Sequence, residues 1–252
     1  MEQVSASRQH TMAKILLIET STALTSVAIA DGGRIAFYKD DGASRNQSAL
    51  TAPFIKEALD SQGLTAKELD AVCVSMGPGS YTGLRVGVSS AKGLCFGAGV
   101  PLIAIGTLDC LVWEAIDGGC GSSIAGVANG CKYIVPMIDA RRMEVYTAVF
   151  DASGNRITDI APRIIDEGSF ADIIADAAGS GQGVLFIGDA AEKCSKVISA
   201  PGARFVQHSP TARGLMAPSA KKFEAGDFEN VAYFEPFYLK DFVATVSRKK
   251  LF

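Results

Sequence analysis

One order of elements is read twice along this 252-residue chain, and that repetition constrains the fold more than any other feature. The apolar run Lys14–Glu19 ends at an acid and a Thr20-Ser21-Thr22 turn. Thr25–Ala30 reads as a second strand, Asp31-Gly32-Gly33 as a hairpin turn and Arg34–Lys39 as a third strand. Residues 46–62 then set Leu50, Phe54, Ile55, Ala58 and Leu59 on one side of a helix. Thr65-Ala66-Lys67-Glu68 has capping-box spacing and introduces a buried strand, Ala71–Met76. The glycine loop Gly77–Gly83 leads into a second helix, Leu84–Phe96. In the second half Tyr133–Asp139 is again an apolar strand ending at an acid, followed by a strand Glu144–Phe150, a turn Asp151–Asn155 and a strand Arg156–Ala161. A helix near 169–178, a strand Val184–Ile187 and a helix near 190–199 complete it. Glu19 and Asp139 hold matching places 120 residues apart.

A β-β-β-α-β-α unit used twice predicts an α/β fold of two ribonuclease H-like halves, the arrangement that characterises actin, Hsp70 and the sugar kinases. The second copy has shorter helices and reads as reduced. The chain divides into a polar leader, 1–13, a first actin-like half, 14–106, and a second, 107–252. The leader is either disordered or upstream of a start at Met12. Helix Thr211–Glu224 and the tail Pro236–Phe252 are expected to pack back across the halves.

Composition excludes several functions. With 24 Lys+Arg against 27 Asp+Glu, the net charge of −3 argues against a surface that grips nucleic acid all round. The cluster Arg248-Lys249-Lys250 suits either a contact with RNA phosphates or, as is commoner for a short terminal charge run, a solvated end. Met1–Met12 lacks the apolar core of a signal peptide, and the apolar stretch 84–106 is interrupted by Arg85, Lys92 and Pro101. A cytoplasmic protein without membrane contact is expected. Six cysteines (73, 95, 110, 120, 131 and 194) form no CxxC pair and sit in apolar stretches, the pattern of buried reduced thiols. His10 and His208 are the only histidines, too few for a His-rich metal site or a His-centred triad.

Phosphotransferases of this fold hold Mg²⁺ near the nucleotide phosphates with the acids that end the first strand of each half. Glu19 and Asp139, with Ser21, Thr22 and Gly188, are therefore candidates for a vestigial nucleotide or metal site. The alternative is that both acids cap adjacent turns through backbone N–H groups. The loop carrying Gly77, Gly79, Ser80 and Thr82 sits at a strand-to-helix junction, a generic anion site or simply a close packing of strand on helix. It lacks the lysine of a Walker loop. The strand ending at Ile187 shows one glycine, Gly188, where a second phosphate loop would show a pair. This reads as a fold without catalysis, and no catalytic residue or metal ligand set is assigned.

The second helix carries only Arg85 and Lys92 as charges from Gly83 to Gly99, and Gly83, Gly87 and Ala91 recur at four-residue spacing with Ser90 beside them. Ala49, Ala52 and Pro53 make a small-residue face on the first helix. Lys56, Arg85 and Leu94 complete a candidate partner interface on these two helices. The stripe suits either a helix contact between subunits or burial under the chain's own second half.

The segments ILLIETST at 15–22 and MGPGSYTGLRVG at 76–87 resemble the TsaB (YeaZ) family, supported by IAIGTLDCL at 103–111, IDARRMEVY at 138–146 and FYLKDF at 237–242. The resemblance runs from about Lys14 to the C-terminus. It implies a non-catalytic dimerisation subunit of the tRNA N6-threonylcarbamoyladenosine synthase, active on tRNAs that read ANN codons. Its implied partners are the catalytic paralogue TsaD, gripped by the first two helices, the ATPase TsaE, and tRNA reached through the complex. A homodimer through the same surface is implied when the chain is alone. ATP and Mg²⁺ are implied to belong to the partner subunits, with no cofactor in the isolated chain. Two departures stand out: Gln47 takes the place of a histidine common in relatives, and Glu19 that of an aspartate. A small-molecule kinase of the same superfamily is the enzyme alternative, and a metallopeptidase is disfavoured by the two remote histidines.

Overall fold

The architecture comes from a computed structural model that describes residues 13–42, 44, 46–116 and 120–240. The leader up to residue 12 with His10, Arg45 and the Arg248–Lys250 cluster lie outside the described residues. The first half holds β1 (Lys14–Glu19), β2 (Ser26–Asp31), β3 (Arg34–Asp40), α1 (Gln47–Ser61), β4 (Ala71–Gly77), α2 (Tyr81–Ala98) and β5 (Leu102–Gly106). After α3 (Thr107–Ile116) come β6 (Cys131–Asp139), β7 (Glu144–Thr147), β8 (Phe150–Asp151), β9 (Ala161–Ile164), α4 (Ala171–Gly179), β10 (Gly183–Gly188), α5 (Ala191–Ser195), β11 (Ala203–Gln207) and α6 (Met216–Ala225).

The duplication is visible in the sheets. The first runs β3-β2-β1-β4-β5 and the second β9-β7-β6-β10-β11, with β8 paired to β6. In both, three strands are antiparallel and the last two are added in parallel. The strands β1, β4 and β10 are each buried at all but one position, as parallel strands covered on both faces must be. One face of the first sheet packs Leu16, Ile18, Val72 and Val74 against Phe54, Ile55 and Ala58 of α1 and Val88 and Ala91 of α2. Its other face packs Ile15, Leu17, Cys73 and Ile103 against Cys110, Leu215 and Met216. Leu108, Leu111, Val112 and Ala115 of α3 cover one face of the second sheet, and α4 and α5 the other. The duplicated, actin-like α/β fold is thus as expected, with a second half reduced to helices of 9 and 5 residues against 15 and 18 in the first.

Several boundaries differ from expectation. The third strand of the second half is β9, not Arg156–Ala161; of that segment only Arg156 makes an isolated bridge, to Phe150. The strand expected over Glu144–Phe150 stops at Thr147, and Phe150 pairs instead with β6. The helix expected over 190–199 is confined to five residues, and β11 follows it. The helix expected over Thr211–Glu224 begins as a 3-10 turn, Ala212–Leu215, before α6.

The described part of the tail does cross between the halves. The Phe237 N–H donates to the Met76 carbonyl at 2.7 Å, and Lys240 pairs with Glu144. All six cysteines are free and buried. Among the described residues no helix is long and apolar enough to cross a membrane.

Candidate functional site

A cleft of about 740 Å³ lies between the two halves, where the strand ends of both sheets converge. The first half contributes Ser21, Thr22 and the glycine loop; the second contributes Asp139, Arg141 and Asp189; Tyr238 and Lys240 of the tail run along it. Gln47 also faces it and donates from Nε2 to the Thr22 carbonyl at 2.6 Å, so the amide fixes the turn after β1.

Glu19 does not line this cleft. Its side chain is 0 % exposed, and Oε1 accepts the Ser21 N–H at 2.6 Å. Oε2 has no hydrogen-bond partner among the described residues, and the Ser21 and Ser75 hydroxyls near the carboxyl make no bond of normal geometry. Burial raises the pKa from 4.5 to about 7; hydrogen-bonding groups of Ser21 and Ser75 pull it down, and the Glu114 charge raises it further. The folded protein therefore holds a proton that the unfolded chain releases. Between about pH 4.5 and 7 stability falls as pH rises, by up to about 1.4 kcal/mol per pH unit; this contribution is complete below 4.5 and lost above 7. Glu19→Gln keeps the acceptor for Ser21 and is expected to flatten that slope in urea unfolding across this range. An unchanged slope would contradict the assignment.

Asp139 ends β6 as predicted and does open on the cleft, but its charge is already matched. Oδ1 accepts the Arg141 N–H at 2.9 Å and pairs with Lys193, whose ammonium also donates to the carbonyls of Arg142 and Glu144 at 2.8 Å. The acid missed from sequence is Asp189, at the end of β10. It accepts the Asp139 N–H at 2.8 Å, and its pKa is raised to about 6 by burial and by the Asp139 charge, the Asp139 N–H opposing. Its signal was available as a strand-end acid directly after Gly188. That glycine is required by contact: a Cβ there would lie 2.0 Å from the Met137 carbonyl oxygen.

The glycine loop is closed by the chain itself. Ser80 donates its N–H to the Ser21 carbonyl at 2.6 Å and accepts the Gly83 N–H at 3.3 Å as the N-cap of α2. A Cβ on Gly79 would lie 2.3 Å from the Ser21 carbonyl oxygen, and one on Gly83 2.0 Å from that of Thr20. The space that a phosphate cradle would leave open is filled by the turn after β1. With Glu19 sealed beneath that turn and Asp139 paired, these residues do not fit the metal–nucleotide arrangement of the fold's phosphotransferases.

The two candidate interface helices lie side by side on one face of the first sheet, so their outward sides form one surface. Ala49, Ala52, Pro53 and Lys56 are exposed on α1 as expected. On α2 the stripe points the other way: Gly83, Gly87 and Ala91 are buried, with Gly87 against Thr20 Oγ1 and Val74. Neither of the two readings of that stripe holds, since what it packs on is the first half's own β1 and β4. Arg85 is exposed but engaged, 4.1 Å above the Tyr81 ring and donating to Tyr238 Oη at 3.3 Å. Ser90 and Leu94 are half-buried. The outward side of α2 consists instead of Thr82, Ser89, Gly93, Phe96 and Gly97, and Phe96 is 87 % exposed.

Two actin-like halves enclosing a cleft whose acids are buried or already paired define a protein of the actin-like ATPase fold. The family model described as TsaD: tRNA N6-adenosine threonylcarbamoyltransferase matches residues 41–247, and the chain belongs to that family. It is 35% identical over 132 residues to the tRNA threonylcarbamoyladenosine biosynthesis protein TsaB of Haemophilus influenzae, covering 52% of this chain and 51% of that one. To the Escherichia coli protein of the same description it is 31% identical over 144 residues, covering 57% and 58%. The chain thus spans about half the length of the curated relatives it matches. YeaZ from Pseudomonas aeruginosa superposes with a TM-score of 0.74 at 22% identity, over 90% of this chain and 100% of that one, a likeness of fold. The resemblance to the TsaB (YeaZ) family carried by ILLIETST and MGPGSYTGLRVG agrees with these relatives.

Proposed function

We propose that this chain is a non-catalytic subunit of a cytoplasmic tRNA N6-threonylcarbamoyladenosine synthase, and that it works by holding the catalytic paralogue TsaD on the outward surface of α1 and α2. The observation that carries the reading is Phe96, a large apolar side chain left 87 % exposed on a helix flank of small residues. Gly93 and Gly97 beside it have open space where a Cβ would go, so a partner helix can approach closely there. The chain supplies no catalytic group and no nucleotide site of its own; ATP and Mg²⁺ are held by TsaD and TsaE, and tRNA is met through the assembly. The same surface closes a homodimer when the paralogue is absent.

Reconstitution tests this. Modification of an ANN-decoding tRNA by the paralogue and the ATPase is expected to require the chain. Phe96→Asp is expected to weaken paralogue binding by at least about 2 kcal/mol, roughly 30-fold. Ile164→Asp, at a residue 73 % exposed on β9 of the other half, is expected to leave it unchanged. Modification that proceeds equally without the chain would reject the proposal and make the small-molecule kinase alternative the next reading to test.

A further inference from the structure

A second cavity, of about 550 Å³, shares Phe237 of the tail with the cleft as a lining residue. Its floor is made by the C-terminal ends of β4 and β5, with Met76 and Ile105, and its walls by Trp113 of α3 and Ile160. Cavities of this size at the carboxyl ends of parallel strands are where α/β folds take small ligands.

The rim is positively charged. Arg156 and Lys221 are exposed at its edge, with Lys222 below. Lys222 is paired with Asp227 at 3.0 Å. Lys221 has no carboxylate partner among the described residues; its ammonium sits 3.7 Å from the centroid of the Trp113 ring. Arg156 likewise forms no ion pair or side-chain hydrogen bond among the described residues. The lining contains one acid, Asp109, whose pKa is raised by burial and lowered by the Arg156 charge, so it offsets at most one of the two unmatched cations. An apolar chamber whose mouth carries two cations and whose lining holds a single acid is complementary to a ligand with an apolar body and one anionic end.

We infer that this cavity binds a small organic anion, its apolar body against Met76, Ile105, Ile160 and the Trp113 ring and its anionic group on Arg156 and Lys221. Nothing in this depends on the partner surface of α1 and α2, so either reading can fail alone.

Trp113 is the only tryptophan in the chain, so its fluorescence reports this cavity directly. The probe is 4-tert-butylbenzoate, transparent at the excitation wavelength of tryptophan, with the neutral 4-tert-butylbenzamide as its match. Saturable, one-to-one binding of the carboxylate is expected, at least about tenfold tighter than the amide. Arg156→Gln, at an exposed residue, is expected to weaken the carboxylate at least about tenfold and leave the amide unchanged. Asp139→Asn, in the cleft, is expected to alter neither. No saturation up to about 10 mM, near −2.7 kcal/mol, would overturn the inference. So would equal binding of acid and amide, or a loss of binding in Asp139→Asn that places the probe in the cleft.

Discussion

Glu114→Ala is expected to lower the unfolding free energy by about 3–5 kcal/mol, because Glu114 is the hub of a buried polar junction. The side chain is 1 % exposed. Oε1 accepts from the hydroxyls of Ser122 at 2.7 Å and Thr211 at 2.9 Å and contacts His208 Nε2 at 3.0 Å, while Oε2 accepts the Thr211 N–H at 3.2 Å. These contacts join α3, the segment after residue 120, the end of β11 and the 3-10 turn before α6. The next N–H of that turn, from Ala212, reaches Ser26 of the first sheet at 2.9 Å. Removing the carboxylate strands the buried N–H and hydroxyl of Thr211, whose desolvation is then uncompensated, and takes the acceptor from the half-buried Ser122. Glu114→Gln keeps the size and two acceptor positions but presents an NH₂ to donors, so a smaller loss of about 1–3 kcal/mol is expected. Urea unfolding followed by circular dichroism checks both. A loss under about 1 kcal/mol in the alanine variant would mean that the junction contributes little.

The second large effect separates two glycines of one helix. Gly83→Ala would set a Cβ 2.0 Å from the Thr20 carbonyl oxygen, a backbone atom that cannot swing aside. The Thr20 hydroxyl also donates to the Gly83 carbonyl at 2.8 Å, so helix and turn are locked at this point. Relief requires α2 to move off β1, at an expected cost of at least about 3 kcal/mol. Gly93→Ala meets open space, in a helix interior, and is expected to stabilise by about 0.5–1 kcal/mol. Chemical denaturation of the two variants, side by side, should move the midpoint in opposite directions. Equal, small shifts would contradict the close packing of α2 on the turn after β1.

That contrast also marks the limit of what the sequence discloses. Strong hydrophobic patterning placed β1 over Lys14–Glu19 and α1 within a residue of Gln47–Ser61, because a buried face imposes its period on the residues. β9 was displaced because all four of its residues are exposed and carry no alternation, whereas Ile157 and Ile160 just before it imitate a strand. The Gly83-Gly87-Ala91 stripe was legible as a line of close approach, but periodicity does not name the neighbour, and here it is Thr20 rather than another subunit. At the cleft, the strand-end acids Glu19 and Asp139 were visible as residues. What divides them, complete burial of one and a lysine 54 positions away on the other, arises only when distant segments meet.

The measurement that tests the central claim most directly is the affinity of the purified chain for the catalytic paralogue, by calorimetry, for wild type and Gly93→Arg. Gly93 is exposed, with nothing within 4 Å of its Cβ position, so an arginine there leaves the fold intact and stands directly on the outward surface of α2. The account predicts a stable complex for wild type and a loss of at least about 2 kcal/mol for the variant, with unfolding midpoints unchanged or raised. Wild-type affinity in Gly93→Arg would contradict it, because the partner would then be held by some other face.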